Sequence, residues 1–222
     1  MLTLALDTST RLGGIAVSRD GRLVAETSLS VRATRSETVL PEVERLLERA
    51  GEGPGGLGRV VVGAGPGSFT GIRIAAALAK GLCAAREADL YAYSSLAAVA
   101  AEADAAVPVC VLFDARRDEV YAAAWEAPPP APHLLPPTAA ALDEVLEALG
   151  PLEGWSFAGE GARRYRDRIE EAGGRVLPPT HDYPRASGLL ELLRRSPGAG
   201  RVAQRRDWEP TYVRASGAER GV

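Results

Sequence analysis

The chain has few of the side chains that most often bind metals or act as nucleophiles. Its 222 residues include two cysteines, Cys83 and Cys110, and two histidines, His133 and His181. These four residues are scattered, so we expect neither a structural zinc site nor a histidine-based nucleophilic triad. Each cysteine lies in an apolar stretch and is expected to be a buried side chain in a reducing compartment.

Long apolar runs and excess positive charge are also lacking. No run approaches the roughly 20 apolar residues that span a bilayer, and the N-terminal segment resembles a strand without a preceding basic region. We therefore expect a cytoplasmic protein without membrane contact. The net charge of −3 argues against nucleic-acid binding by this chain alone. It leaves open an RNA-modifying complex in which another subunit holds the RNA.

Two series of strand and helix patterns follow each other along the chain. The first half predicts strands at 2–6, 14–18, 22–28 and 59–63, and helices at 38–50, 72–86 and about 94–104. Asp20-Gly21 is a two-residue hairpin signal. The second half predicts strands at 107–113, 119–125 and 155–158, a proline-rich linker at 128–137, helices at 139–149, 161–172 and 186–195, and an irregular arm from about 196.

The repeated order of elements predicts an α/β protein with two lobes, 1–104 and 105–222. Each lobe is expected to contain a mixed β-sheet flanked by helices, with the irregular arm belonging to the second. No repeat of individual residues supports the duplication; only the order of elements does.

The segment Gly63–Gly71 is the most informative part of the sequence. Its glycines, single proline and hydroxyl residues precede a helix, and this predicts a tight turn with backbone amides at the helix N-terminus. Such a turn is either a phosphate or nucleotide loop, or a cap that lets the helix pack closely. The spacing matches neither GxxxxGK[ST] nor GxGxxG, so both interpretations stay open. The candidate loop residues are Gly65, Gly67, Ser68 and Thr70.

Two aspartates follow predicted strands at corresponding places in the two halves. Asp7, with Thr8 and Ser9, could hold Mg²⁺ through water and contact phosphate through hydroxyls. Asp114 ends the first strand of the second half. If both lie at the mouth of a cleft, they form the carboxylate pair of a phosphotransferase. The alternative is that each only closes a strand turn.

The predicted helix 72–86 is apolar or small on nearly every face. A helix of this kind is expected to be buried all round. One side can lie on the sheet, and the other can contact either a second helix of the chain, 38–50, or another subunit.

Four segments of the chain resemble the TsaB/YeaZ family. They are Leu4–Thr10 (LALDTST), Gly63–Arg73 (GAGPGSFTGIR), Asp114–Tyr121 (DARRDEVY) and Glu209–Arg214 (EPTYVR). They fall in order from start to end, so the resemblance covers nearly the whole chain. It implies the ASKHA fold of actin, Hsp70, sugar kinases and other ribonuclease H-like proteins.

The resemblance also implies a function. A family member is expected to be a non-catalytic subunit of the bacterial complex that forms threonylcarbamoyladenosine in tRNAs reading ANN codons. It would pair with a TsaD-like transferase, with a TsaE-like ATPase joining, and would form a homodimer when alone. Contact with tRNA would be indirect and no cofactor would be required. Weak ATP or ADP binding, and any role of Mg²⁺, stay open.

By position, the resemblance places the partner surface on helices 38–50 and 72–86. The implied interface residues are Leu40, Val43, Leu47, Ile74, Leu78 and Leu82. The catalytic paralogue carries a two-histidine metal motif, whereas the matching region 32–41 has no histidine. We therefore expect no metal site, no catalytic residues and no peptidase activity.

The main alternative is a Mg²⁺-dependent ATPase or phosphotransferase of the same fold, using Asp7 and Asp114. The second half lacks a clear GGxG segment for adenosine, and Gly159-Glu160-Gly161 is a poor match. This argues against the alternative.

Overall fold

The fold is described from a computed structural model, in which residues 1–31, 39–103 and 108–213 are described. Several predicted features lie wholly or partly outside these residues: most of the histidine-free region 32–41, the first residue of helix 38–50, the end of helix 94–104, the start of strand 107–113 and Arg214.

The first sheet confirms the three predicted N-terminal strands and the predicted strand 59–63, and it adds one further parallel strand. Its strands are β1 Leu2–Asp7, β2 Leu12–Arg19, β3 Arg22–Ser30, β4 Leu57–Gly63 and β5 Asp89–Tyr93. Their order is β3-β2-β1-β4-β5, with antiparallel pairing on the β3 side and parallel pairing on the β5 side. Its helices are α1 Val39–Arg49, α2 Phe69–Arg86 and α3 Ser95–Glu102.

The second sheet repeats this topology. Its strands are β6 Val109–Arg116, β7 Glu119–Trp125, β8 His133–Ala141, β9 Ser156–Ala158 and β10 Arg175–Val176, ordered β8-β7-β6-β9-β10. The helices are α4 Leu142–Leu149, α5 Glu160–Arg164, α6 Arg166–Glu171 and α7 Ala186–Arg195, and short 3₁₀ helices cover Pro54–Gly56 and Pro179–His181. The parallel and antiparallel pairings also match those of the first sheet. This confirms the predicted ASKHA fold.

Alternating side chains on the strands divide the molecule into layers. Val61 faces a core shared with α3 and α7, whereas Val60 and Val62 face the opposite core under α1 and α2. In the second sheet, Val111 faces α3 and α7, and Leu112 faces α4–α6. Helices α3 and α7 therefore lie between the two sheets, and the other helices cover the outer faces.

The predicted proline-rich linker 128–137 is wrong from His133 onward, because this stretch enters strand β8. Pro136 and Pro137 fall where the register is irregular, between the pairs Ala122–Thr138 and Ala124–Leu135. Strand β8 is at the edge of its sheet, where a proline without an N–H group costs little pairing. Helix α4 accordingly begins at Leu142.

One further predicted element is corrected by the structure, and two strands are present that were not predicted. The single helix predicted at 161–172 is two helices, α5 and α6, separated at Tyr165. Strands β5 and β10, for which no prediction was made, form the parallel edges of the two sheets.

The C-terminal arm returns to the first lobe, although it follows α7 in the sequence. The Val202 N–H donates to the Leu90 carbonyl at 2.9 Å, and the Ala92 N–H donates to the Gly200 carbonyl at 2.8 Å. The arm therefore covers the free edge of β5. Further on, the Thr211 N–H donates to the Ala64 carbonyl at 2.9 Å. The arm therefore also contacts the segment Gly63–Gly71, which we call the glycine loop.

A cluster of carboxyl groups joins β3, α3 and α7. The Ser187 hydroxyl lies 2.7 Å from Glu26 Oε1 and 2.5 Å from Glu102 Oε1. One hydroxyl donates only one proton, so a protonated Glu102 satisfies both contacts. Burial raises the pKa of Glu102, aided by repulsion from Glu26 and Glu191 and opposed by Ser187 and Arg185.

Glu102→Gln is expected to stabilise the chain at pH 8 and to change stability less at pH 4. The pKa of Glu102 is near 4.5 in the unfolded chain and higher in the folded chain. The contribution of Glu102 to the free energy of unfolding therefore falls as pH rises from the unfolded pKa to the folded pKa, and stays constant at higher pH. Glutamine keeps a donor without the charge. Thermal unfolding at both pH values measures the difference, with Glu147→Gln on the exposed face of α4 as the control. An equal shift of melting temperature at both pH values would contradict this account.

Candidate functional site

The glycine loop packs directly against the residues that follow β1. The Ser68 N–H donates to the Ser9 carbonyl at 2.6 Å, and Thr8 Oγ1 donates to the Gly71 carbonyl at 2.6 Å. A Cβ atom on Gly67 or Gly71 would overlap the carbonyl oxygen of Ser9 or Thr8, far inside the 3.0 Å that Cβ atoms keep. The close approach of two backbones thus supplies a packing reason for these glycines. Nucleotide binding by the loop remains a prediction.

Asp7 is sealed inside the first lobe and has no exposed surface. Its Oδ1 accepts from the Ser9 N–H at 2.7 Å, and its Oδ2 accepts from Ser95 Oγ at 2.7 Å. Burial raises the pKa of Asp7, and the hydrogen bonds from Ser9 and Ser95 oppose this shift. Gly63 packs directly against the carboxylate, so closely that a Cβ atom at this position would overlap Oδ2 of Asp7. The carboxylate is therefore placed to hold the turn, and no face of it is open to a hydrated cation.

A cleft of about 810 Å³ separates the two lobes. Five of the predicted loop and aspartate residues line it, and three do not. Those in the lining are Ser9, Gly67, Ser68, Thr70 and Asp114; Asp7, Thr8 and Gly65 are not part of it. The expected pair of carboxylates at the mouth of the cleft is therefore not formed, because Asp7 lies behind the backbone of its own turn.

Asp114 is engaged by groups of its own lobe. Its Oδ2 accepts from Arg164 Nη1 at 2.9 Å, and its Oδ1 accepts from the Arg116 N–H at 2.8 Å. Arg164 also reaches Asp118 at 3.2 Å. A guanidinium thus occupies the position that a cation would need beside this carboxylate. No sequence motif predicts this pairing.

The turn between β6 and β7 has an unusual backbone. Arg116, Arg117 and Asp118 have φ values of 62°, 54° and 60°. Left-handed conformations cost residues with a Cβ roughly 1–2 kcal/mol each, and glycine or asparagine is usual in such turns. The chain instead presents two arginines here, both exposed.

The two lobes contact each other across the cleft. The Arg11 guanidinium, from the first lobe, donates to the Tyr183 hydroxyl and lies 3.5 Å from Glu160 Oε2 in the second lobe. Within the second lobe, Arg163 binds both oxygens of Asp182, at 3.2 and 3.1 Å. These contacts fix the wall opposite the glycine loop.

Helix α2 buries one face and exposes the other. Ile72, Ala75 and Cys83 are buried, whereas Ala77, Gly81 and Ala85 on the outer face are exposed. A Cβ on Gly81 would meet no atom within 4 Å. The described part of the chain therefore gives no packing reason for a glycine in the middle of this helix, where it costs about 1 kcal/mol relative to alanine.

The predicted interface residues divide into two groups. Val43 and Leu47 are each 1% exposed and belong to the core between α1, α2 and the first sheet. They are therefore removed from the predicted partner surface, because their face of α1 already lies against the sheet. Leu40 is 40% exposed. The three remaining residues, Ile74, Leu78 and Leu82, are partly exposed and touch the core from the flanks of α2.

The aromatic and cationic residues at the start of α2 were not predicted. Arg73 lies 3.9 Å from the Phe69 ring centre, and its Nε donates to the Tyr212 hydroxyl at 3.1 Å. Phe69 and Tyr212 stack at a tilt, with ring centres 5.4 Å apart. This cluster joins the C-terminal arm to the first turn of α2.

The described residues offer few groups for thiol chemistry or for metal binding. Cys83 and Cys110 are buried, as predicted, and burial raises the pKa of both thiols, that of Cys83 to about 11. Residues 1–31, 39–103 and 108–213 contain no group of three or more histidine, cysteine or acidic residues able to hold a metal ion. None of the helices described is long and apolar enough to cross a membrane.

Fold and cleft together define a two-lobed ASKHA protein whose strand-end aspartate is sealed and whose second-lobe aspartate pairs with arginine. The model of the TsaD family, tRNA N6-adenosine threonylcarbamoyltransferase, matches residues 30–127. The chain is 30% identical over 225 aligned residues to the Escherichia coli tRNA threonylcarbamoyladenosine biosynthesis protein TsaB, covering 96% of this chain and 95% of that protein.

Two other relatives agree. The Bacillus subtilis protein TsaB is 36% identical over 129 residues, which span 57% of this chain and 56% of that protein. The solved structure of YeaZ from Pseudomonas aeruginosa superposes with a TM-score of 0.75 at 28% identity, covering 95% of this chain and 99% of that one. The chain therefore belongs to the TsaB/YeaZ family.

Proposed function

We propose that this chain is a non-catalytic subunit that supports a TsaD-like transferase in forming threonylcarbamoyladenosine in tRNAs that read ANN codons. The near full-length match to the Escherichia coli biosynthesis protein supports the pathway. The match of residues 30–127 to the transferase family supports descent from a common ancestor with the enzyme.

The observation that carries the proposal is the outer face of α2, which no residue among 1–31, 39–103 and 108–213 covers. This face consists of small and apolar side chains around Gly81, which has open space beside it. Small residues let a second helix approach closely, and an apolar face gains free energy when it is removed from water. The partner surface is therefore assigned to the outer face of α2, with Ile74, Leu78, Leu82 and, on α1, Leu40 at its margins.

The TsaD-like paralogue is the occupant that we propose for this surface. It is expected to share the fold, so a helix equivalent to α2 can pack in a pseudo-symmetric pair. The same symmetry allows two copies of this chain to pair when the paralogue is missing. A TsaE-like ATPase completes the proposed complex, which works in the cytoplasm and contacts tRNA chiefly through the other subunits.

The state of the two aspartates supports a non-catalytic role. Asp7 has no exposed surface, and Asp114 is paired with Arg164 at 2.9 Å. Neither carboxylate is presented to a substrate in the manner that a phosphotransferase requires. The ATPase alternative is therefore the weaker of the two.

Reconstitution of the modification tests the proposal. The purified chain, a TsaD-family protein from the same source, and both together are each supplied with a TsaE-family ATPase, ATP, tRNA and a threonylcarbamoyl donor. The modified nucleoside is then measured by mass spectrometry. We expect no product with this chain alone and at least tenfold more product with the pair than with the transferase alone. Product from this chain alone, or no gain from adding it, would refute the proposal.

A further inference from the structure

The cleft between the lobes has the size of a small-molecule site. Its volume of about 810 Å³ falls within the range of ligand pockets, roughly 300–1,000 Å³. Among the residues that the structure describes, four arginines and three acidic residues line it: Arg11, Arg116, Arg163, Arg164, Asp114, Glu160 and Asp182. The lining thus has one positive charge in excess, in a chain whose net charge is −3.

Each acidic group in the lining already faces a guanidinium. Asp114 pairs with Arg164 at 2.9 Å, Asp182 with Arg163 at 3.1 Å, and Glu160 with Arg11 at 3.5 Å. The remaining strand-end carboxylate, Asp7, is sealed away from the cleft. A divalent cation would have to displace an arginine from any carboxylate that it bound. The cleft therefore does not fit the Mg²⁺ that nucleotide binding in a fold of this kind implies.

Arg116 is the one arginine of the lining whose guanidinium has no polar partner among the described residues. Its side chain is exposed, and its backbone is fixed by the hydrogen bond from its N–H to Asp114. Across the cleft lie the exposed residues Ser68 and Thr70, whose hydroxyls can donate to an anion. A guanidinium matches the geometry of phosphate oxygens and binds them with charge-assisted hydrogen bonds.

We infer that the interlobe cleft binds a small phosphorylated molecule through Arg116, without a divalent cation. This inference does not depend on the partner surface of α2, which lies outside the cleft except at Ile74 and the first turn. The binding site is formed by one chain, so it is measured on the isolated protein.

Isothermal titration calorimetry with inorganic pyrophosphate tests the inference. We expect binding in buffer with EDTA, and weaker binding when Mg²⁺ is added, because Mg²⁺ competes for the phosphate oxygens. Arg116→Gln is expected to weaken binding by roughly tenfold, as the loss of one charge-assisted contact does. Arg117→Gln is the matched control, because Arg117 lies in the same turn but does not line the cleft. The affinity of this variant for pyrophosphate should equal that of the wild type.

Three results would overturn the inference: no binding in EDTA, binding that requires Mg²⁺, or equal weakening by the two substitutions. Thermal unfolding of both variants establishes that each is folded. A parallel titration with ADP separates the sources of the phosphate. Tighter binding of ADP than of pyrophosphate assigns the site to a nucleotide, and equal binding assigns it to the phosphate groups alone.

Discussion

Replacing Leu78 by glutamate is expected to abolish association with a TsaD-family partner while the chain stays folded. A carboxylate placed in an apolar helix–helix contact loses its hydration without gaining a counter-charge, which costs several kcal/mol. A loss of about 4 kcal/mol lowers affinity by roughly a thousandfold. Size-exclusion chromatography and calorimetry of the mixed proteins measure the effect.

Leu78 is partly buried against the core of its own lobe, so a second variant isolates the contact with the partner. Ala77 is exposed on the outer face of α2, and Ala77→Glu adds the same charge without disturbing the core. The control is Ala172→Glu, at an exposed position of the second lobe. If Ala77→Glu and Ala172→Glu both leave assembly intact, the partner surface has been placed wrongly.

Replacing Gly71 by alanine is expected to destabilise the chain by about 3 kcal/mol or more. The new methyl group would overlap the Thr8 carbonyl oxygen, and that backbone is fixed by the hydrogen bond between Thr8 Oγ1 and the Gly71 carbonyl. Forced overlap of this kind displaces backbone in a packed region. Urea unfolding followed by circular dichroism gives the free energy of unfolding.

Gly81 in the same helix provides the matched control. Gly81→Ala meets no atom within 4 Å, so alanine is expected to stabilise the isolated chain by about 1 kcal/mol through its helix propensity. Opposite signs for the two substitutions would establish that Gly71 serves close packing. Similar effects of the two substitutions on the free energy of unfolding would show that the contact between Gly71 and Thr8, after β1, does not constrain the helix. In the mixed proteins, Gly81→Ala should weaken assembly if a partner helix approaches closely.

The architecture could be predicted largely from local patterns. Alternating strands, the Asp20-Gly21 turn and the periodicity of α1 and α7 identify their elements, because each depends on near neighbours in the chain. Strand β8 was missed because edge position, which makes Pro136 and Pro137 tolerable, is a property of the assembled sheet. Strand β10 has only two residues and offers no periodicity to detect.

The candidate site was predicted less well than the fold. The sequence motifs locate the glycine loop and both aspartates, but they do not predict the burial of Asp7 or the arginine partner of Asp114. Whether Asp7 faces solvent depends on Gly63 and Ser95, and the latter is 88 residues away along the chain. Likewise, Asp114 in β6 pairs with Arg164 in α5. No local pattern in the sequence connects these two elements of the second lobe. Long-range packing decided which residues remained accessible.

The return of the C-terminal arm has a consequence for synthesis on the ribosome. Helix α7 covers one face of the first sheet, and residues 200–202 pair with its edge strand β5. A nascent chain therefore carries a first sheet with an uncovered face and an exposed strand edge until residues 186–202 have been synthesised. The lobe that begins first in the chain is therefore completed by a segment that is synthesised after most of the second lobe.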